Sequence, residues 1–411
     1  MRIAVVGAGV TGLATALELA ASGHQITVFD RRQTVAEEAS YGGTGLNAHG
    51  LPWPSGRGSS VQAWGVSPGT HPLTRLFSRH PLQPPEQLAQ LAQLARMQRD
   101  LMALGADSMV SRFSATSVDP DSSKDLLVLW KDDKAHERAR PTLDALADAG
   151  LPLAGLEPAQ IHKLEPGLNP DTPLARAARV PEVTVATPRQ VCMNWRQQAL
   201  ATGVRFAMGH TVRTLEPGTP VRVGWQTVDQ RQGEEIFDAA VLCGGGAGLV
   251  LLRSLGLKSG ISLMRGRTVV AALRDPLLAP RAAILDAERQ VLIVQHGQRL
   301  RVAGGFGPAR AQEGPSPANA WHPLFQTLDD WFPGVADVRA RQGTVQTWEG
   351  VVAVSRDGRP MIGATSMPGI WMNMGHGTQG WALALGSARL LEELLSGKTP
   401  SLDPKLCAVE R

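Results

Sequence analysis

Cysteine, tyrosine, net charge and long apolar runs are all scarce in this 411-residue chain. The three cysteines, Cys192, Cys243 and Cys407, stand far apart and show no metal-ligand spacing. That excludes a disulfide framework and a thiolate metal box, and an odd, low count suits a reducing compartment. Tyr41 is the only tyrosine, so no other phenol is available to hold a substrate. The net charge of +4 is small and dispersed. No segment clusters Lys and Arg with aromatics, which argues against nucleic acid and leaves acidic small molecules admissible. The longest apolar stretches, such as 247–252, are far shorter than a membrane span. No charged-then-apolar leader precedes Ile3. The expected location is cytoplasmic, with no transmembrane segment and with a peripheral contact at the inner membrane left open.

Glycine is plentiful, and its first cluster is the most informative. Arg2–Val6 is a short apolar, β-branched run, followed at once by Gly7-Ala8-Gly9-Val10-Thr11-Gly12. An apolar-periodic helix over about 10–21 carries Leu13, Ala16, Leu17 and Ala20 on one face, Ser22-Gly23-His24 breaks it, and a second strand over 25–29 ends at Asp30. The three glycines have separate tasks: a tight turn, close approach of backbone to a pyrophosphate, and close helix–strand packing. The helix N-terminus then faces the phosphate charge. Asp30 is placed to accept hydrogen bonds from an adenosine ribose. The unit predicts a dinucleotide site, which by itself does not separate NAD from FAD.

The rest of the chain alternates helical and strand-like segments, with helices predicted over 87–104, 133–149, 188–201 and 379–395. Strands are predicted over 204–208, 221–225, 236–242, 268–273, 291–295 and 300–303, and 51–85 reads as irregular, lid-like loops. Dinucleotide-binding elements therefore sit at both ends of a strand-rich body. The fold class expected is α/β (α+β overall), a Rossmann-like nucleotide domain interrupted by a mixed-sheet substrate domain. The expected boundaries are 1–85, 155–260 and 345–411 for the first and 86–154 and 261–344 for the second. Two later turns also belong to the first. One is the strand-to-glycine turn at Cys243-Gly244-Gly245-Gly246; the other is the strand–loop–helix segment Ile370–Trp381, which aims several backbone N–H groups at one point.

Taken with Glu38–Gly45, Trp348-Glu349-Gly350, Asp357–Gly363, Gly375-His376-Gly377-Thr378, Gly380-Trp381 and Leu395–Pro400, this pattern resembles the D-amino-acid oxidase-like flavoproteins. Within them it is most similar to the bacterial D-amino-acid dehydrogenase small subunits. The resemblance implies FAD, bound non-covalently because no family cysteine is positioned for a flavin link. It implies that Gly7, Gly9, Val10, Thr11 and Gly12 hold the pyrophosphate, Asp30 and Arg31 the ribose, and Val212 the adenine. Ser40, Gly43, Thr44 and Gly45 are implied along the isoalloxazine. Gly375, Gly377, Thr378, Gly380 and Trp381 are implied at its O2 side, with Gly244 near the crevice. The implied chemistry is oxidation of an amine or D-amino acid by hydride transfer from the α-carbon to flavin N5, followed by hydrolysis of the imine, with oxygen or a quinone as acceptor. A secondary amine or cyclic imino acid is the neighbouring alternative. An NAD(P)H-dependent flavin monooxygenase and a non-catalytic flavin protein are alternatives of other classes.

The chain departs from this family at one telling place. Members acting on α-amino acids usually carry an arginine two residues after the glycine matching Gly350, where this chain has Val352. An arginine there forks onto the substrate carboxylate. Candidate replacements are Arg265, Arg267, Arg301 and Arg356, with Arg267 the most unusual for the family. Tyr41, His49, His296, His376, Trp53, Trp64 and Trp348 are the remaining candidates for substrate contact, and no residue is assigned as an acid–base catalyst.

Overall fold

A computed structural model describes residues 1–49, 51, 85–108, 124–309, 316–336 and 345–410. The predicted loops from Pro52 to Pro84, with Trp53 and Trp64, lie outside the described residues. The opening strand–turn–helix–strand unit forms as Arg2–Val6, Val10–Ala21 and Gln25–Asp30. Arg2–Val6 lies inside a six-stranded sheet, paired in parallel with Gln25–Asp30 on one side and Ala239–Leu242 on the other. Both faces of these strands are covered, so their inner residues are buried without alternation and, Thr27 apart, apolar. Helix Val10–Ala21 packs between the helices Pro188–Ala201 and Gly380–Leu395, its alanines allowing close approach. Gly397, with φ +68°, sits just past the last helix, where a left-handed residue is needed to stop it.

The second large sheet has eight strands, in the order Val345–Ser355, Ile261–Ala272, Arg299–Pro308, Val291–His296, Ala283–Asp286, Leu126–Trp130, Arg176–Val180 and Ala154–Leu156. One face carries helix His322–Trp331 over Val269, Ala271, Ile284 and Val302. The other carries Leu126, Val128, Leu285 and Val294, with helices Pro85–Leu104 and Asp133–Asp148 adding Ala95, Ala135 and Ala139. A three-stranded antiparallel sheet, His210–Glu216, Val221–Thr227 and Gln232–Phe237, stands beside the nucleotide sheet.

Two expectations need correction. The apolar run 236–242 is two strands rather than one, with Gln232–Phe237 in the three-stranded sheet and Ala239–Leu242 in the six-stranded one. Asp238 makes the break: its carboxylate accepts from the Arg2 amide at 2.6 Å while its own N–H donates to the Arg2 carbonyl. The expected boundaries also cut strand 154–156 after its first residue and put strands 176–180 and 345–355 with the nucleotide part, whereas all three ladders run in the eight-stranded sheet. Val345–Ser355 pairs along nearly its full length with Ile261–Ala272, so sheet hydrogen bonding, not chain order, fixes its place.

Candidate active site

The Gly7–Gly12 turn opens a cavity of about 400 Å³ that runs from the nucleotide sheet to the near face of the eight-stranded sheet. At its start Gly7 has φ +116°, and a Cβ there would meet the Cys243 carbonyl oxygen at 2.8 Å. The N-cap of helix Val10–Ala21 is Gly9, which brings no side chain to the first turn, so the amides after Val10 at its start can meet an anion. Ser40 closes the turn from outside, its Oγ accepting from the Val10 amide at 3.0 Å. Asp30 accepts from the Ala8 amide at 2.7 Å and the Arg32 amide at 2.8 Å. Burial raises the Asp30 pKa above the ordinary carboxylate value, and those two N–H groups offset the rise in part. Arg31 and Arg32 both pair with Glu38 beside it. Val212 and Arg213 border the same end of the cavity.

Further in, the cavity is lined by Ser40, Gly43, Thr44 and Gly45 and by Gly244, Gly375, Gly377, Thr378, Gly380 and Trp381. Three buried polar atoms here have no partner among the described residues: Asn373 Oδ1, His376 Nε2 and Thr378 Oγ1, all on residues that line the cavity. Buried polar groups left unpaired by the protein mark where a bound polar molecule completes the bonding. The glycine cradle, the uncapped helix and these three atoms together fit a dinucleotide carrying a polar ring. Cys243, also in the lining, has its thiol 3.7 Å from Thr15 Oγ1, and burial pushes its pKa up to about 12. It stays protonated and is poorly suited to a covalent link.

His376 lies 7% exposed, and burial brings its pKa down to about 4. The ring is therefore neutral at working pH. Because the folded pKa is depressed, the unfolded chain binds the extra proton between about pH 6.5 and 4, and stability falls as pH drops through that window. Thermal unfolding of the wild type is expected to weaken there by about 3 kcal/mol in all, and His376→Asn is expected to flatten that slope. Unfolding temperatures at pH 7 and pH 4.5 check it.

The far end of the cavity is apolar, bordered by Leu46, Leu292, Phe306, Trp348, Val351 and Val352. Strand alternation decides what faces it. In the paired strands Thr268 stands opposite Trp348, Gly266 opposite Gly350 and Met264 opposite Val352. Thr268 Oγ1 donates to the Gly42 carbonyl at 2.7 Å and Trp348 lies against Gly42, so this set faces the 39–45 segment, and Gly266, Thr268, Trp348 and Val352 of it border the cavity. Arg265, Arg267 and Glu349 occupy the alternate positions, on the face that Val269 and Ala271 present to helix His322–Trp331.

That register corrects the proposed replacement arginines. Arg267 borders the cavity, yet its guanidinium is engaged behind the sheet: Nε donates to Glu349 at 2.9 Å, Nη1 to the Gly305 carbonyl at 3.1 Å and Nη2 to Ser316 Oγ at 2.5 Å. Arg265 bonds the other Glu349 oxygen at 2.8 Å and does not border the cavity. Burial opposes ionisation of Glu349, but the hydrogen bonds from Ser316 and the two guanidiniums outweigh it and hold its pKa below the usual range. Glu349→Ala leaves two half-buried cations without their anion and is expected to cost about 2–3 kcal/mol, read as a lower unfolding midpoint. Arg356 is exposed.

Other candidates also stand off the cavity. Tyr41 turns its ring to the Arg189 guanidinium, 5.1 Å away, and His49 bonds the Pro181 carbonyl at 2.9 Å. Gly12 lies behind the turn, where a Cβ would sit 1.8 Å from the Gly7 carbonyl oxygen; its task is packing. His296 bonds the Thr44 carbonyl at 3.0 Å. The sequence reading missed Asn373, Cys243, Thr268 and Phe306 as lining residues. The first two lie in or beside segments it had quoted. Phe306 follows the Gly304-Gly305 pair, whose second member has φ +63°; nothing in the sequence marks Thr268.

Residues 2–394 match the model of the DAO family, FAD dependent oxidoreductase. The chain belongs to this family. Among curated proteins it is 28% identical to a D-amino acid dehydrogenase of Cereibacter sphaeroides, covering 100% of this chain and 95% of that one. It is also 28% identical to a D-amino acid dehydrogenase of Neisseria meningitidis, covering 97% of this chain and 96% of that one. In solved structures the fold matches glycine oxidase from Geobacillus kaustophilus with a TM-score of 0.76 at 19% identity, covering 100% of this chain and 99% of that one. It matches L-proline dehydrogenase from P. horikoshii with a TM-score of 0.75 at 15% identity, covering 100% and 97%.

Proposed function

We propose that this protein binds FAD non-covalently and oxidises the C–N bond of an amine or amino acid, the imine being hydrolysed afterwards. One observation carries the reading: a single cavity joins the glycine cradle to an apolar chamber walled by Trp348, Val352 and Phe306. Bound FAD supplies the hydride acceptor. In this reading the backbone of Gly7, Gly9, Val10 and Thr11 holds the pyrophosphate, with Gly12 supporting the turn, and Asp30 and Arg31 serve the ribose. Val212 flanks the adenine. Gly244, Gly375, Gly377, Thr378, Gly380 and Trp381 border the ring opposite the 40–45 loop. The chamber's task is to place the substrate C–H, keep its nitrogen unprotonated by lack of hydration, and exclude water. The relatives named D-amino acid dehydrogenase support an amino-acid substrate.

A second reading is favoured by Val352 and by the engaged forks of Arg265 and Arg267: a secondary or otherwise carboxylate-poor amine whose apolar part fills the chamber. No helix among the described residues is long and apolar enough to cross a membrane. The three cysteines are buried and form no disulfide, which supports a reducing, cytoplasmic setting; the acceptor in this reading is oxygen or a quinone. The deciding experiment is anaerobic bleaching of the flavin absorbance by D-amino acids, by the matching amines without the carboxylate, and by cyclic and N-methyl amines. Bleaching by any of them upholds amine oxidation, and the ranking separates the two substrate readings. Bleaching by NADPH alone overturns both.

A further inference from the structure

Every carbonyl of the 41–45 segment accepts a hydrogen bond, and of the donors only Thr268 also borders the cavity. Arg301 Nη1 donates to the Tyr41 carbonyl at 2.9 Å and to the Gly43 carbonyl at 2.5 Å. Thr268 Oγ1 takes the Gly42 carbonyl, His296 Nε2 the Thr44 carbonyl, and the Ala186 amide the Gly45 carbonyl at 3.1 Å. A trans peptide whose C=O is drawn to one side turns its N–H to the other. The other side of this loop, at Gly42, Gly43, Thr44 and Gly45, lines the cavity.

Arg301 differs from the other donors in bringing charge. It stands opposite Val270 in the sheet, on the same strand face as Ala303 two residues on, which borders the cavity. The residue is 9% exposed, and no carboxylate among the described residues lies against it; two carbonyl oxygens are its bonding partners. Burial lowers its pKa to about 10, which still leaves it cationic at neutral pH. A buried cation held only by dipoles is costly to maintain, and it projects its field through a low-dielectric layer one peptide thick. On that path lies the loop read above as running along the isoalloxazine, a ring that gains negative charge on reduction.

We propose that Arg301 is a positioning residue for the flavin, holding the loop's N–H edge toward the ring and supplying a fixed positive charge that favours the reduced state. This rests on the reading that the 40–45 loop runs along the ring. The test is the flavin midpoint potential of the holoenzyme, measured by dye equilibration in wild type, Arg301→Met, Arg301→Lys and Thr268→Val. Arg301→Met is expected to lower the potential by about 30 mV or more, a tenfold change in a two-electron equilibrium. Arg301→Lys is expected to keep most of the wild-type value. Thr268→Val, which removes a neutral tie to the loop and no charge, is expected to shift it by much less than Arg301→Met; an equal shift overturns the role of the charge. A wild-type potential in Arg301→Met overturns the proposal. Should Arg301→Met release its flavin, retention by Arg301→Lys upholds the role of the charge, and loss from both with an intact far-UV spectrum overturns it. A wild-type protein that takes up no FAD would instead sink the underlying reading.

Discussion

Gly12→Ala is expected to purify without bound flavin. A Cβ at position 12 would stand 1.8 Å from the Gly7 carbonyl oxygen, well inside van der Waals contact. Relief requires the turn or the helix to move. The turn is blocked, because Gly7, with φ +116°, already lies against the Cys243 carbonyl and Gly244. The helix is blocked as well, packed between two others through Leu13, Ala16 and Leu17 with no exposed face to yield. Overpacking of this kind costs about 1–3 kcal/mol, occasionally more, and the displacement falls on the amides that meet the pyrophosphate. FAD affinity is expected to fall at least a hundredfold, about 2.7 kcal/mol. The ratio of flavin to protein absorbance and a titration with added FAD measure it. Gly155→Ala, at a strand glycine with open space around it, is the control expected to keep its flavin. A Gly12→Ala protein with wild-type flavin content would show that the cradle lies elsewhere.

What was legible in the sequence follows the range of the interactions involved. The helix over 10–21 agrees with the structure at both ends, because a glycine turn, a 3.6-residue apolar period and a Ser-Gly break are all local signals. The cavity-lining glycines were legible for the same reason. The split of 236–242 was not, since apolar residues continue through the break and the interaction that makes it, Asp238 with Arg2, spans the chain. Strand 345–355 was misplaced because its partner is some eighty residues upstream and chain order suggests the nucleotide part. The arginines show the limit most plainly. Alternation puts Arg265 and Arg267 on one face of their strand, but which face meets the cavity depends on register with a second strand. That register sets Arg267 against Glu349 and Met264 against Val352.

The same register makes Val352→Arg the most informative gain-of-function change. Val352 shares its face with Thr268 and Trp348 and borders the chamber, so a guanidinium there enters the cavity without crossing the sheet. Its charge loses hydration on entry, and the apolar surroundings provide no anion to offset the loss. A substrate carboxylate provides one, in the forked geometry arginine favours. The pair contributes about 2–5 kcal/mol, and desolvation takes back part of it, leaving roughly tenfold to hundredfold in KM. For D-amino acids KM is expected to fall by that factor, while the matching amines without the carboxylate are expected to bind more weakly than in wild type. Arg267→Met is the complementary variant: its fork is tied behind the sheet to Glu349, Gly305 and Ser316, so it is expected to leave the ratio of amino acid to amine KM unchanged. Steady-state kinetics on matched substrate pairs decide between the two. If Arg267→Met selectively impairs amino acids and Val352→Arg impairs both substrate types alike, the carboxylate is held from the Arg267 side. The opposite pattern means that the valine sets which amines this enzyme accepts.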